Sequence, residues 1–312
     1  MATIFLTALV VLSLVAAKQL FLLFHRLSKL VLLEQLLILR KKYLSALLLA
    51  TVSSVVLAHE FWLLPQFFVA PGKTLNLRVF VGENFTGERW AGKSNRVTRL
   101  EHFAPTGPEN LLATATAADT LHSTITFAQA GTHVVTLATN NAFLTLEADK
   151  FNSYLKEEGL DYILLERQKR GSLNKPGREA YRRCAKTLVL VGSPASSDTA
   201  RAWSRPTGLS LELVPEQNPY TLRAGNSLTV RVLAEGEPQA GQMVQLWQRS
   251  PGQPVRVSKL YSNQNGRVLF RLSVPGQYMV STVRMVPSTV PEADWQSTWA
   301  SLTFGFGPRQ PR

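Results

Sequence analysis

His59 and Glu60 are the residues of this 312-residue sequence whose types and adjacency most readily suggest chemistry. An imidazole beside a carboxylate offers one nitrogen and one oxygen donor. If the chain were cut between Ala58 and His59, the new α-amine would add a second nitrogen and chelate together with Nδ1. The amine titrates near about 7.7–8.0 and the imidazole near about 6.5, so both are largely available as ligands around neutral pH. Nitrogen ligation suits nickel and copper, and copper heads the affinity order. Tight binding needs a third donor.

The other reactive side chains carry less. His102, His122 and His133 fall in or beside segments with strand-like alternation, and each reads as a structural or surface histidine. Adjacent Glu157 and Glu158 on a helix point about 100° apart, a poor geometry for a catalytic dyad. Glu83 and Glu88 flank a glycine-containing turn, where capping or pairing with Arg89 is the simpler role. Trp295 and Trp299 read as cover for a sheet edge. Ser301 lacks the Gly-x-Ser-x-Gly context, and no histidine follows it. No phosphate loop or nucleotide fingerprint is present, so no enzymatic activity is expected.

A cut before His59 is signalled by the residues that precede it. Arg40-Lys41-Lys42 leads into the uncharged run Tyr43–Ala58, with Val56 and Ala58 at the minus-three and minus-one positions. This is the order of a signal peptide. At ~1.5 Å per residue the run spans about 24 Å, short of the ~30 Å hydrocarbon core, which favours cleavage over a permanent anchor. The apolar stretches further upstream are interrupted by Lys18, Arg26, Lys29 and Glu34. They read either as a membrane segment anchoring the protein to the inner membrane, with His25–Lys42 as its cytoplasmic loop, or as a start placed too far upstream. The second is preferred, because a signal peptide normally carries its basic region close to the start.

Six basic residues and one acid lie in residues 1–58, so +5 of the net +13 belongs there and +8 remains downstream, scattered rather than clustered. With no basic helix or zinc-finger spacing, nucleic acid is not an expected partner. Cys184 is the single cysteine, which excludes an intrachain disulfide and any CxxC site.

Downstream the apolar period is two. Thr74–Val81, Arg96–His102, His122–Phe127, His133–Ala138 and Phe143–Glu147 alternate between turn residues, as an antiparallel sandwich with one buried face per sheet would. Asp149–Arg170 shifts to helical spacing in two pieces broken at Gly159, and a third short helix is expected at Arg178–Lys186 before a strand at Thr187–Val191. A second β-region follows, with strands near Ser210–Val214, Ser227–Leu233, Met243–Gln248, Val268–Leu272, Tyr278–Met285 and Ala300–Phe304. Asn265-Gly266 is a favourable hairpin pair. The expected organisation is mainly β: two immunoglobulin-like antiparallel β-sandwich domains, at 59–148 and 207–306, joined by a helical connector and linker at 149–206. Residues 1–58 precede them as signal peptide and apolar extension, and 307–312 form a tail.

Several motifs recur together in one known family. They include His59-Glu60-Phe61-Trp62-Leu63, Val81-Gly82-Glu83-Asn84-Phe85-Thr86-Gly87-Glu88, and Lys150-Phe151 with Tyr154–Leu160. Further on come Gly177-Arg178-Glu179 with Arg183–Lys186, Leu211–Glu216 with Asn218-Pro219-Tyr220, and Asp294-Trp295 with Trp299–Phe304. In order and spacing these resemble the exported family catalogued as domain of unknown function 4198, over essentially residues 59–305. The resemblance implies a link to periplasmic components of nickel and cobalt uptake systems. It therefore implies a non-enzymatic, metal-handling accessory in the periplasm, with a divalent ion (nickel or cobalt before copper) and a membrane metal transporter as partners. His59 and Glu60 would be the metal-ligating residues. A structural or ligand-binding β-sandwich module without metal is the alternative. In one place the chain departs from the family: Arg284 stands where a histidine is usual, which puts a permanent cation in place of a donor.

Overall fold

Residues rich in β-branched and aromatic side chains, punctuated by Gly and Pro, make most of the described elements after His59 strands. The computed structural model describes Arg40 and residues 60–307, except 91, 119–120, 122–123 and 194–200. The expected signal peptide and extension at 1–58, His59, His122 and residues 308–312 lie outside the described residues. Among the described residues, no helix is long and apolar enough to cross a membrane.

Within the unit Ala58–Arg312 the centre is a ten-stranded sheet. Its main path runs Arg256–Tyr261, Met243–Arg249, Gly276–Pro287, Trp295–Phe306, Gly177–Val191, Gly131–Thr139, Val97–Ala104, Gly107–Asn110. Ala142–Leu146 and Phe68–Val69 also pair with Gly177–Val191. A four-stranded sheet built on Leu211–Pro215, Ser227–Ala234 and Arg267–Arg271 covers one face. Leu211, Leu213, Val230 and Val232 meet Leu188, Val280 and Leu302 there. The other face is covered by Glu60–Leu64, Arg78–Glu83 and Thr86–Arg89, together with the pair Lys73–Asn76 and Thr124–Phe127. There Phe61, Leu63 and Val79 meet Val135, Leu137 and Val189.

Successive residues of Gly177–Val191 serve opposite cores: Cys184 and Leu188 belong to one, Ala185, Val189 and Val191 to the other. Three expectations are corrected here. Both faces of the central sheet are covered, rather than one face per sheet, which is why its strands read as continuous apolar runs. Arg178–Lys186 is no helix but part of this 15-residue strand. The charged residues there mimic helical spacing, but they sit between β-ladders on both sides. The antiparallel pairing expected throughout also fails at two ladders: Gly177–Val191 runs parallel to Trp295–Phe306, with Cys184 opposite Ala300, and parallel to Phe68–Val69.

The other expected strands appear with ends shifted by a few residues, and Thr74–Val81 is split at the buried Leu77 into Lys73–Asn76 and Arg78–Glu83. The two helices are Ala148–Glu157 and Asp161–Lys169. Gly159 separates them at φ +68°, and a Cβ there would lie 2.8 Å from Cβ of Met243. Left-handed backbone and lack of space both require glycine. Residues Asn263–Arg267 form a turn at Asn265-Gly266, with Asn263 N–H donating to the Arg267 carbonyl at 2.9 Å and Gly266 at φ +69°. It is not the expected hairpin: the strands on either side, Arg256–Tyr261 and Arg267–Arg271, pair with Met243–Arg249 and Ser227–Ala234 in different sheets.

A strand buried on both faces leaves Lys186 without water, and it is 1% exposed. Its ammonium donates to the Glu212 carboxylate, itself 2% exposed. Glu212 also accepts from Thr207 N at 2.7 Å, Thr207 Oγ1 at 2.8 Å and Gly208 N at 3.0 Å. Burial pushes the Glu212 carboxyl up, but Lys186 and these donors outweigh it and hold the group below its ordinary range. Removing one partner would strand a buried charge. Lys186→Met should therefore lower unfolding stability by about 3–5 kcal/mol. Urea unfolding checks it, and a loss under about 1 kcal/mol would mean that Lys186 and Glu212 are buried as neutral groups.

Candidate functional site

The first strand, Glu60–Leu64, is laid down on the central sheet by two side-chain hydrogen bonds. Ser301 Oγ and Thr303 Oγ1 each donate at 2.6 Å, to the carbonyls of Phe61 and Leu63. Strand alternation then sends Phe61 and Leu63 into one core, while Trp62 stacks on Phe80 at 5.9 Å and meets Phe85 edge-on at 5.6 Å. Phe85 is buried at φ +53°, the second residue of the tight turn Asn84-Phe85. The turn is made by these two residues, and Gly87 lies in the return strand. A bulky residue in this conformation is strained, and burial against Trp62 with the Arg249 guanidinium 4.4 Å over its ring offsets the strain.

Glu60, at the start of this strand, is 5% exposed. Burial, with Glu158 and Glu83 nearby, pushes its pKa up to about 8 against the opposing effect of a backbone hydrogen bond. Glu158 is brought in by the helix end. The Gly159 turn leaves Glu157 exposed and Glu158 buried, with Gln245 Nε2 donating to Glu158 Oε2 at 3.0 Å. Burial raises Glu158 to about 7, opposed by Lys259 and the Gln245 bond. The different environments of Glu157 and Glu158 follow from their angular separation on the helix.

Behind them lies a third acid. Glu179 is fully enclosed, accepting from the Ser297 hydroxyl and from Tyr154 Oη at 3.2 Å, while its Oε2 has no partner. Burial lifts it to about 7, opposed by those two bonds and by Arg183. Tyr154, pushed well up by burial and then by Glu179 and Glu158, donates to Glu179 and lies near enough to Glu158 to feel its charge. The result is a line of acids that at neutral pH are largely protonated or half titrated. Such groups can exchange protons for a cation. No three His, Cys, Asp or Glu side chains among the described residues converge closely enough to hold an ion by themselves.

Arg284 stands elsewhere: its Nε donates to Gln239 Oε1 at 3.0 Å, in a cleft of about 450 Å³ beside Tyr162. The charges raising the Glu60 pKa are those of Glu158 and Glu83, not Arg284. Ser301 is occupied as a structural donor. Trp299 stacks on Tyr154 at 6.1 Å, and Trp295 is buried beneath Arg170.

That His102 and His133 meet is not legible in the sequence. Their rings stack at 5.0 Å between neighbouring strands, both edge-on to Phe127, with His102 Nε2 2.8 Å from His133 Nδ1. His133 Nε2 lies 2.8 Å from the Gln129 carbonyl, so it carries the proton, and its Nδ1 accepts from His102. His102 Nδ1 then faces Glu109 at 3.5 Å. Burial lowers the His102 pKa, with Glu109 opposing. The diagonal placement of residues 102 and 133 follows from the ladder that sets His102 opposite Val135, a register that single-strand alternation does not specify.

A family model described as "Domain of unknown function (DUF4198)" matches residues 56–285. No curated protein matches the chain. Among solved structures the chain is similar to the D0–D1 domain of intimin, at 14% identity over 80% of this chain and 98% of that one, with a TM-score of 0.19. It is also similar to Salmonella alpha-2-macroglobulin reacted with methylamine, at 12% identity over 79% of this chain and 15% of that one, with a TM-score of 0.19.

The raised carboxyls make stability depend on pH with a definite sign. Their folded-state values exceed the unfolded ones, so their contribution is full below about pH 4.5 and is lost as pH rises through about 7. Between pH 5 and 9 the protein should lose roughly 3 kcal/mol for each of Glu158 and Glu179. Glu60, raised to about 8, adds a comparable loss, so Glu179→Gln should remove about a third of the total pH dependence in urea unfolding at several pH values. An unchanged slope would show that Glu179 titrates normally.

Proposed function

The chain belongs to the family described as domain of unknown function 4198, and from that premise we propose that it is an exported, non-enzymatic metal-handling protein of the periplasm. It would serve nickel or cobalt uptake, with copper as the less favoured cargo. The observation that carries this reading is the buried Glu60, held close to the like-charged Glu158 and Glu83. Its carboxyl is driven to hold a proton that a divalent ion would displace. In this proposal His59, freed by cleavage after Ala58, gives its α-amine and Nδ1, and Glu60 gives an oxygen. These donors would be pre-positioned because the next residues are fixed to the central sheet. The imidazole and amine select nickel or copper over calcium and magnesium.

The same reading takes residues 59–148 and 207–306 as two immunoglobulin-like sandwiches. The segment 149–206 would join them through Gly177–Val191, which pairs with strands of both. Delivery to a membrane metal transporter, from a protein released by cleavage or retained at the inner membrane by its N-terminal segment, completes the proposal. Nucleic acid has no place in it.

The test is metal titration of protein processed to begin at His59, beside protein carrying one extra residue before it. Nickel, cobalt or copper should bind the first at micromolar concentration or tighter, release protons, and bind the second at least about tenfold more weakly. Glu60→Gln should also weaken binding. Equal affinities would remove the amine from the site. No binding at micromolar ion would favour the alternative, a β-sandwich module that binds something other than metal.

A further inference from the structure

At the Leu64 end of the first strand lies a groove of about 980 Å³ that the metal reading does not use. Phe67, Phe68 and Phe306 line it together with Pro65, Pro251 and Pro275. Gly305 permits the aromatic packing there: a Cβ would lie 2.7 Å from Cβ of Phe67 and 2.8 Å from the Phe68 ring. A neighbouring cleft of about 340 Å³ shares Phe68, Pro275 and Phe306 and continues the apolar surface past Tyr220 and Leu222. The volume of the groove is that of a site for a small organic molecule.

The charge in this groove has one sign. Arg78 and Arg89 line it, Arg223 lines the adjoining cleft, and no acid lines either. The ladder sets Phe80 opposite Arg89, and Arg78 lies two residues before Phe80. Both arginines therefore stand on the face of Phe80, diagonal to each other at roughly 7–8 Å by ordinary sheet geometry. Both are exposed, and the Arg78 guanidinium sits 6.0 Å over the Phe80 ring. Two like charges held on one face beside an apolar trough repel each other, and a bound anion between them would relieve that repulsion.

We propose that this groove binds a carboxylate-headed amphiphile, its head on Arg78 and Arg89 and its apolar body along Phe67, Phe68 and Phe306. A carboxylate suits the guanidinium fork bidentately, and the aromatic and proline lining calls for an apolar body rather than a bare anion. The proposal is independent of metal at His59.

Calorimetric titration of the full processed protein with decanoate, acetate and decyltrimethylammonium, each below its micelle concentration, tests it. Decanoate should bind, acetate and the cationic amphiphile should not, and added salt should weaken decanoate binding. Arg78→Glu with Arg89→Glu, at exposed positions, should weaken decanoate by about tenfold or more and leave the metal titration unchanged. Absence of decanoate binding, equal binding of acetate, or decanoate binding insensitive to both salt and the double substitution would overturn the proposal.

Discussion

A strand buried on both faces can keep a polar side chain only if that side chain finds a partner, and Gly177–Val191 is such a strand. It hydrogen-bonds to Trp295–Phe306 and Gly131–Thr139, and its residues alternate between two cores. Its interior charged residues accordingly reach for partners, although Glu179 Oε2 and Arg183 Nε find no hydrogen bond. Lys186 goes to Glu212, Glu179 to Ser297 and Tyr154, and Arg183 lies 5.1 Å over the rings of Phe61 and Tyr181. These ties also join the layers. Glu212 draws in the N–H groups of residues 207–209, closing the four-stranded sheet onto one face. Glu179 reaches the helix Ala148–Glu157 through Tyr154. Arg183 touches the first strand.

The two buried acids of this network are resolved in opposite ways. Glu212 has a cation and several N–H donors and stays charged. Glu179 has two hydroxyl donors and one unsatisfied oxygen, and it is pushed to about 7. Desolvation acts on both; the number and charge of the donors decides the outcome. Glu60 and Glu158 fall on the Glu179 side of that division. This separates the end of the molecule near Glu60 from the well-compensated interior around Lys186, and it is why a cation is expected to act at the first and not at the second.

The alternation of Thr124–Phe127, the presence of a strand at Gly131–Thr139, the helix break at Gly159 and a turn at Asn265-Gly266 were legible because each depends on local sequence. The layer count was not. The run Thr187–Val191 is equally apolar whether one face is buried or two, so the covering sheets were invisible until their partners were placed. Arg178–Lys186 misled for a related reason: Arg182 and Arg183 at mid-strand suggest an exposed helix, whereas their charges are met by Glu235, Thr298 and aromatic faces from distant sequence. Of the site, Glu60 was visible as a neighbour of the expected cut, but Glu158 and Glu179 were not. A glutamate beside a helix-ending glycine reads as a solvent-exposed residue unless the strand bearing Gln245 is known to cover it.

The strand Glu60–Leu64 links the acid end to the groove end. It is only five residues long, yet one end contributes Glu60 to the carboxyls and the other contributes Leu64 to the aromatic groove. Its register is set against Arg78–Glu83, with Trp62 opposite Phe80, and is pinned by the Ser301 and Thr303 hydroxyls. A slip of one residue would turn Trp62 and Glu60 toward the core now filled by Phe61 and Leu63. It would also pull Leu64 from beside Arg78. Both candidate sites therefore stand on one register, and the hydroxyls that fix it lie on Trp295–Phe306, the strand that runs parallel beside Gly177–Val191. The buried strand also reaches both directly, carrying Glu179 at the acid end and pairing Leu190 with the groove residue Phe68 at the other.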